Sequence, residues 1–382
     1  MTAFLPSYGD RSLAEVMPAV LRALEVPSFA GASALPIPPA RAVAVLLVDG
    51  LGSELLAAHA GDAPFLSSVR DLGPLTAGFP SSTSISLTSL GTGRPPGAHG
   101  VLGIAMRADD GTMIDTLRWA RHGVDQHVDL RDTVVPETVQ AQPTVWEIAA
   151  GAGIATSIVG PRAFRRSGLS RAALRGGDYR GAVALGDLVA EVAAGVGGSG
   201  RRLCYAYHAD LDTLGHLHGP GSVPWRNQLR LIDRLAVMIA ESLPRDGQLL
   251  ITGDHGMVAV EERIDADLVP ELQDGVEALG GDPRARHVYV RDGAADDVLA
   301  AWRETLGPHA WVVSREEAIG NGWFGPVDDA VRARIGDVVA ALAGRSAVVR
   351  SRAEPMLSRL VGQHGSLTTA EQQVPLLFAT AG

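Results

Sequence analysis

The sequence predicts an α/β protein with a mostly parallel central sheet flanked by helices and an inserted smaller α+β cap. Apolar runs of strand length alternate with segments of helical spacing, which is typical of βαβ units. A chain of 382 residues can form one large α/β domain with an insertion, or two domains. The segment after residue 260 is richer in charge and has its own short helix and strand patterns. We therefore expect a core of residues 1–260 and 353–382 and a cap of residues 261–352.

The first predicted element is a helix that begins at a capping box. Ser12 and Glu15 have the required spacing, and apolar residues then recur at helical positions as far as Leu24. The first predicted strand is a continuous apolar run, as expected for a buried parallel strand. The predicted strands are residues 42–50, 154–159, 203–207, 248–252, 287–290 and 374–379. Helical patterns cover residues 146–151, 225–243 and 294–306.

Composition excludes several classes of protein. The net charge of −10 argues against a surface that coats nucleic acid, which is normally basic. The chain has no lysine, so it has neither a P-loop lysine nor a lysine Schiff base, and Cys204 alone cannot form an intrachain disulfide. The N-terminus lacks a basic segment followed by an apolar run, and no stretch reaches membrane-spanning length. We expect a cytoplasmic monomer whose partners include neither a nucleic-acid polymer nor a membrane.

Metal-capable side chains follow three of the predicted strands and one further glycine-flanked segment. Open α/β sheets bind their ligands at the carboxyl ends of the strands. Any one of these residues could instead be a cap, a turn former or half of a surface ion pair. Agreement between four elements favours a site for two divalent ions. The residues are Asp49, Asp212, His216, Asp254, His255 and His364.

A segment dense in hydroxyl groups, residues 79–100, could supply a nucleophile. One interpretation is a solvated serine and threonine loop that caps the helix following it. The other is a hydroxyl near a helix N-terminus, with its pKa lowered by a metal ion and backbone amides facing an incoming phosphate. Spacing alone does not identify which hydroxyl attacks.

The motifs VDG, PSST, DTLGHLHG, GDHG and GQHG occur in this order from about residue 42 to the C-terminus. This ordered set resembles the alkaline phosphatase superfamily, and within it the phosphodiesterase/nucleotide pyrophosphatase branch. The resemblance implies an alkaline phosphatase-like fold, with Thr83 of the P-x-x-T pattern as the nucleophile. It also implies two ions, Mn²⁺ or Zn²⁺. One would be held by Asp49, Thr83, Asp254 and His255, and the other by Asp212, His216 and His364.

The same resemblance implies a metal-dependent phosphodiesterase that cleaves nucleotide phosphodiester bonds through a phospho-threonine. Pyrophosphatase-type members usually carry an asparagine three residues after the nucleophile, where this chain has Ser86. The TSISLTSLGTG and LPSYGDRSL segments are more similar to intracellular actinobacterial members. These include a phosphodiesterase of cyclic di-AMP, so the expected reaction is cyclic di-AMP to pApA and AMP. The candidate substrate-binding residues are Ser86, Arg94 and Trp119, with a base stacked on Trp119 and Arg94 paired with a phosphate. The alternative, which we favour for Trp119 and Arg94, is a core tryptophan and a surface arginine.

Alternatives remain within and outside this branch. A phosphonoacetate hydrolase would use the same metal ligands, and a nucleotide pyrophosphatase would cleave an anhydride instead of an ester. A sulfatase is disfavoured because Cys204 lies outside a C/S-x-P-x-R context, and a serine hydrolase because G-x-S-x-G is absent. From another class, a non-catalytic nucleotide-binding receptor could keep the fold. Such receptors tend to lose metal-binding residues, whereas all seven of those positions are filled here.

Overall fold

A seven-stranded sheet forms the centre of the computed structural model, which describes residues 2–31, 33–124 and 126–381. Five neighbouring strands are parallel. At one edge a sixth strand pairs antiparallel with them, and the outermost strand pairs antiparallel with the sixth. The prediction of a mostly parallel central sheet is therefore confirmed. In spatial order the strands are Arg70–Asp71, Leu376–Thr380, Gly247–Gly253, Ala42–Val48, Arg202–His208, Ala155–Pro161 and Asp178–Ala182.

The middle strand, Ala42–Val48, shows why the first apolar run is continuous. All seven of its residues are buried. Val43, Val45 and Leu47 pack into the hydrophobic core on one face of the sheet, and the alternate residues pack into the core on the other face. Successive side chains of a strand point to opposite faces, so a strand covered on both faces must be apolar throughout.

Helices cover both faces of this sheet. The capping box predicted from Ser12 and Glu15 is present at the 3₁₀ turn Leu13–Glu15, which leads into the first α-helix. Of the helices formed by the described residues, none is both long enough and apolar enough to cross a membrane. The α-helices are Val16–Ala23, Ser53–Ala58, Pro64–Ser68, Thr83–Thr92, Pro96–His99, Pro136–Val139, Val145–Gly151, Gly168–Ala173, Leu185–Val196, Asp210–His218, Val223–Glu241, Ala295–Leu306, Arg315–Gly320, Asp329–Arg332 and Thr369–Gln372.

A second, antiparallel sheet lies beside the first and has its own core. The predicted cap, residues 261–352, contributes four of its seven strands, and residues 105–121 contribute the other three. The predicted cap therefore shares a sheet with part of the predicted core, and the proposed domain boundaries stay a prediction. The spatial order is Ala310–Ser314, Val338–Leu342, Ala285–Val290, Val276–Asp282, Ala105–Arg107, Met113–Asp115 and Ala120–Arg121. Shorter pairs join Val258–Ala259 to Gly362–Gln363, Glu262–Asp265 to Ser346–Val349, and Leu75–Thr76 to Gln373–Val374.

A buried ion pair connects the second sheet to the C-terminal segment. Arg284 donates to both carboxylate oxygens of Glu371 at 2.7 and 2.8 Å, and both side chains are fully buried. Glu371 also accepts the backbone N–H of Ser366 at 3.0 Å. Since an unpaired buried charge is costly, these contacts hold the segment that carries His364 in one position.

Candidate active site

The carboxyl ends of three parallel strands bring the candidate ligands to one edge of the sheet. Val48 pairs with Gly253 on one side and with His208 on the other. Asp49 and Asp254 are the residues that follow two of these strands, and the helix carrying Asp212 begins shortly after the third. Residues far apart in the chain therefore converge because their strands are neighbours in register.

The first ligand group consists of Asp49, Asp254 and His255, whose ligand atoms lie within 4.8 Å of one another. All three side chains are buried. His255 Nε2 lies 3.5 Å from Asp49 Oδ1 and 3.4 Å from Asp254 Oδ2. Thr83 Oγ1 joins this group at 3.2 Å from His255 Nε2 and 3.5 Å from Asp49 Oδ1. The four residues predicted to hold one ion are therefore adjacent.

The second ligand group consists of Asp212, His216 and His364, again with ligand atoms within 4.8 Å of one another. His216 Nε2 lies 3.3 Å from Asp212 Oδ2 and 3.2 Å from His364 Nε2. The structure thus brings together the three residues predicted to hold the other ion.

Backbone carbonyls orient all three imidazoles in the same way. When one ring nitrogen donates to a carbonyl, the other ring nitrogen keeps its lone pair and can bind a metal. In each case Nδ1 contacts the carbonyl and Nε2 points into the site. The partners are Gly256 for His255 at 3.0 Å, Gly362 for His216 at 2.7 Å, and Ser81 for His364 at 2.8 Å.

The electrostatics of the site suit divalent cations. Burial raises the pKa of Asp49 well above its usual range, and the charges of Asp254 and Asp212 raise it further. Burial also raises the pKa of Asp254. Asp254 Oδ2 and Asp212 Oδ1 are buried and lack a hydrogen-bond partner among the described residues. Carboxylate oxygens that are crowded and unsatisfied need a positive charge nearby, so the donor set fits two divalent ions.

Thr83 stands at the N-terminus of the helix Thr83–Thr92 and lines the cavity beside the first ligand group. The two hydroxyls that precede Thr83 donate to protein partners, whereas Ser84 Oγ is buried and has no hydrogen-bond partner among the described residues. Ser81 donates to the carbonyl of Ser366 at 3.0 Å, and Ser82 donates to Asp282 Oδ1 at 2.9 Å. Free N–H groups at a helix N-terminus attract anions. The position of Thr83 is therefore suited to attack on a phosphate.

The active-site cavity, about 300 Å³ in volume, opens beside Asp49, Thr83 and Asp212. Its other walls are largely apolar and aromatic. The rings of Phe164 and Tyr207 lie 6.4 Å apart at 52°, and the Tyr207 hydroxyl donates to Asp49 Oδ2. Further lining residues include Leu87, Leu117, Arg118, Ile158, Leu169, Tyr179 and Tyr205.

Sequence reasoning did not identify these aromatic residues. One signal was present, because Tyr205 and Tyr207 alternate along a strand and so share one face, just ahead of the helix carrying Asp212. Phe164 lies in a 3₁₀ turn after another strand, and no local pattern marks it.

The three predicted substrate-binding residues do not meet at the cavity. Trp119 is fully buried, and its Nε1 donates to the Val134 carbonyl at 2.6 Å, so its ring is part of the core. This placement corrects the prediction that a base stacks on Trp119. Ser86 is also buried and donates to the backbone carbonyl of Asp254 at 2.7 Å, where it supports the loop that carries Asp254 and His255. Arg94 is exposed just beyond the helix Thr83–Thr92 and is not among the described residues that line the cavity.

A helix-flanked parallel sheet with two groups of aspartate and histidine beside a threonine hydroxyl is typical of metal-dependent hydrolases. The sequence model of the type I phosphodiesterase / nucleotide pyrophosphatase family matches residues 43–367. The chain therefore belongs to this family of metal-dependent hydrolases, and the predicted resemblance is confirmed.

Individual relatives agree with this assignment. Human ectonucleotide pyrophosphatase/phosphodiesterase family member 7 is 38% identical over 68 residues, which are 16% of this chain and 15% of that protein. Murine ectonucleotide pyrophosphatase / phosphodiesterase 5 superimposes with a TM-score of 0.67 at 18% identity, covering 89% of this chain and 88% of that one. Phosphonoacetate hydrolase from Sinorhizobium meliloti 1021, solved with phosphonoformate, superimposes with a TM-score of 0.65 at 20% identity, covering 90% of this chain and 91% of that one. At such low identity the two structures establish the fold, and the predicted fold class is confirmed.

Proposed function

We propose that the protein is a two-metal phosphodiesterase that cleaves nucleotide phosphodiester bonds through a phosphorylated Thr83. The observation that carries this proposal is the position of Thr83 Oγ1. It lies at a helix N-terminus, beside Asp49 and His255, and faces a cavity with aromatic walls. A nucleophile, an anion-binding helix end and space for an organic leaving group thus meet at one point.

The two ligand groups would hold the ions, and their mixture of carboxylates and imidazoles suits Mn²⁺ and Zn²⁺ equally. When bound, such ions lower the pKa of the hydroxyl and neutralise charge on the phosphoryl oxygens.

The protein residues then have distinct tasks. Thr83 Oγ1, having lost its proton to solvent, attacks phosphorus in line, and the bond to the leaving oxygen breaks while that oxygen takes up a proton. The first N–H groups of the helix Thr83–Thr92 face the phosphoryl oxygens. Water then cleaves the phospho-threonine and restores the hydroxyl. Because each displacement inverts phosphorus, the overall reaction proceeds with retention.

The walls of the active-site cavity favour a nucleotide as substrate. Phe164 is 42% exposed beside Tyr207, so a base has aromatic and apolar surface to pack against. The murine relative named above has also been solved as an inactive form in complex with AMP. We infer that cyclic di-AMP, cleaved to pApA and AMP, is the physiological substrate. The similarity of two segments to intracellular actinobacterial members, which include a cyclic di-AMP phosphodiesterase, supports this choice.

Phosphonoacetate is a poorer match to the cavity. A small dianion calls for several basic groups close together, whereas Arg118 is the one basic side chain among the described residues that line this cavity. In a pyrophosphate substrate the bond to be cleaved is an anhydride instead of an ester. The same residues could catalyse the cleavage of either bond. The leaving group therefore has to be identified by assay.

A chromatographic screen with added Mn²⁺ tests the proposal. Cyclic di-AMP, pApA, an NAD-like pyrophosphate and phosphonoacetate are each incubated with the wild-type protein and with Thr83→Ala. We expect hydrolysis of cyclic di-AMP by the wild type and none by the variant. Turnover confined to phosphonoacetate would falsify the nucleotide assignment, and turnover confined to the pyrophosphate would replace ester cleavage with anhydride cleavage.

A further inference from the structure

A second cavity, of about 400 Å³, adjoins the active-site cavity, and Leu117 and Arg118 line both. It lies between the edge strand Ala120–Arg121 of the second sheet and the loop of residues 353–357. Leu117 and Arg118 therefore form a wall that the two cavities share.

Both described carboxylates that line the second cavity have partners within the protein. Asp115 accepts the backbone N–H groups of Leu117 and Arg118, both at 3.0 Å. Glu354 is buried and accepts from both terminal nitrogens of Arg286 at 3.1 and 2.8 Å, and from His122 at 3.1 Å. Arg286 thus balances the charge of Glu354, and two backbone N–H groups stabilise that of Asp115.

Two arginines of the second cavity remain available to a ligand. The Arg118 side chain is 77% exposed, and its nearest carboxylate oxygen, on Asp115, is 3.9 Å away. The Arg121 side chain is exposed and makes neither an ion pair nor a hydrogen bond with any residue that the structure describes. In a protein with a net charge of −10, two exposed guanidinium groups at one cavity, one of them paired with Asp115 only at 3.9 Å, favour an anionic ligand.

The second cavity also has an apolar wall. Leu117, Val124 and Met356 line it with 40%, 47% and 76% of their surface exposed. Exposed apolar side chains that cluster beside cationic groups suit a ligand with a flat organic part and an anionic part. A nucleotide has both parts.

We propose that the second cavity is a subsite for the second nucleotide of a dinucleotide substrate, with Arg121 contacting its phosphate and the apolar wall contacting its base. This inference rests on the proposed function. The active-site cavity, about 300 Å³, is at the small end of the range for ligand sites, so two nucleotides do not fit there together. The second half of the substrate extends past Leu117 and Arg118 into the adjoining space.

Equilibrium binding to the metal-loaded Thr83→Ala protein tests the subsite without turnover. Arg121→Gln changes a side chain that lines the second cavity alone, and Arg291→Gln changes an exposed arginine that lines neither. The probes are cyclic di-AMP and AMP, titrated by calorimetry. We expect Arg121→Gln to raise the Kd of cyclic di-AMP roughly tenfold and that of AMP less than twofold, since one charge-assisted contact is lost. Arg291→Gln should change neither.

Kinetics of the same substitutions in the active protein give a second measure. Arg121→Gln should raise KM for cyclic di-AMP while KM for a nucleoside p-nitrophenyl phosphate stays constant. The subsite is refuted if Arg121→Gln matches Arg291→Gln for the dinucleotide, or if both ligands weaken by the same factor. Failure of the proposed function has a different signature, because the metal-loaded wild type would then hydrolyse no phosphodiester at all.

Discussion

His255 and His364 stack face to face, with ring centroids 3.5 Å apart and 15° between their planes. His255 belongs to the first ligand group and His364 to the second. Each ring is held by a backbone carbonyl at Nδ1, so both Nε2 atoms are directed into the site. The contact between the rings places the two groups side by side.

Removal of one group should therefore remove one ion. We expect His364→Ala to retain about one Mn²⁺ per chain after dialysis, compared with two in the wild type, because the first ligand group stays complete. Metal content measured by mass spectrometry tests this. His218→Ala is the matched control, since His218 is exposed on the same helix as His216 and should leave two ions bound. Two ions in His364→Ala would refute the assignment of His364.

Loss of the Thr83 hydroxyl should abolish turnover while the ions stay bound. We expect Thr83→Ala to lower kcat by at least about 10³-fold, as for removal of other enzymatic nucleophiles. Metal content should remain that of the wild type, because aspartate and histidine supply the other ligands. Thr92→Ala, at the far end of the same helix, removes a hydroxyl bonded to the Thr88 carbonyl and should stay active. A Thr83→Ala protein with near wild-type turnover would show that another group attacks.

Two tyrosines of one strand should differ in their effect on metal affinity. The Tyr207 hydroxyl donates to Asp49 Oδ2, whereas the Tyr205 hydroxyl is buried and has no hydrogen-bond partner within the described part of the chain. Loss of a hydrogen bond to a metal ligand typically weakens metal binding about 10- to 100-fold. We expect that loss for Tyr207→Phe and little change for Tyr205→Phe in a metal titration of chelator-treated protein. Equal effects would contradict this role of Tyr207.

Asp282, in the second sheet, should make stability depend on pH. Burial raises its pKa from 3.8 to about 6, and hydrogen bonds from Ser82 and Ile104 oppose that rise. Between these values the folded protein keeps a proton that the unfolded chain releases, so stability falls as the pH rises and the full cost applies above about pH 6. The cost is up to about 3 kcal/mol, from about 1.4 kcal/mol per pKa unit.

Asp282→Asn removes this ionisation. We expect the free energy of unfolding of the variant, relative to the wild type, to increase from about pH 4 to pH 6 and then level off. Urea titrations of both chelator-treated proteins across this range measure the difference. A difference that does not vary with pH would mean that Asp282 does not ionise in the folded protein within this window.

Local sequence was sufficient to predict those parts of the structure that depend on residues close together in the chain. The apolar run ending at Val48 predicted a buried central strand, and glycines beside Asp49 and Asp254 marked the strand ends. Because parallel strands place their carboxyl ends at one edge, the candidate ligands could be predicted from order and spacing alone. The nucleophile needed the family resemblance, since Thr83 stands among serines of similar spacing.

The burial of Trp119 and the strand pairing of the second sheet depend on long-range packing, so the sequence pattern could not establish them. The indole ring of Trp119 could stack on a base if it were exposed, but the surrounding core buries it completely. The strands of residues 105–121 join a sheet whose other members follow residue 275, a pairing that no local periodicity encodes.

The sequence by itself determined the parallel sheet and the identities of the candidate ligands, because hydrophobic periodicity and motif order are local properties of the chain. Tertiary structure alone decided that Tyr207 donates to Asp49, that Ser82 donates to Asp282, and that Arg118 lines two cavities. Each of these contacts joins residues from separate elements. The packing of whole sheets and helices brings these residues together. The sequence around each residue therefore does not predict which distant residue it contacts.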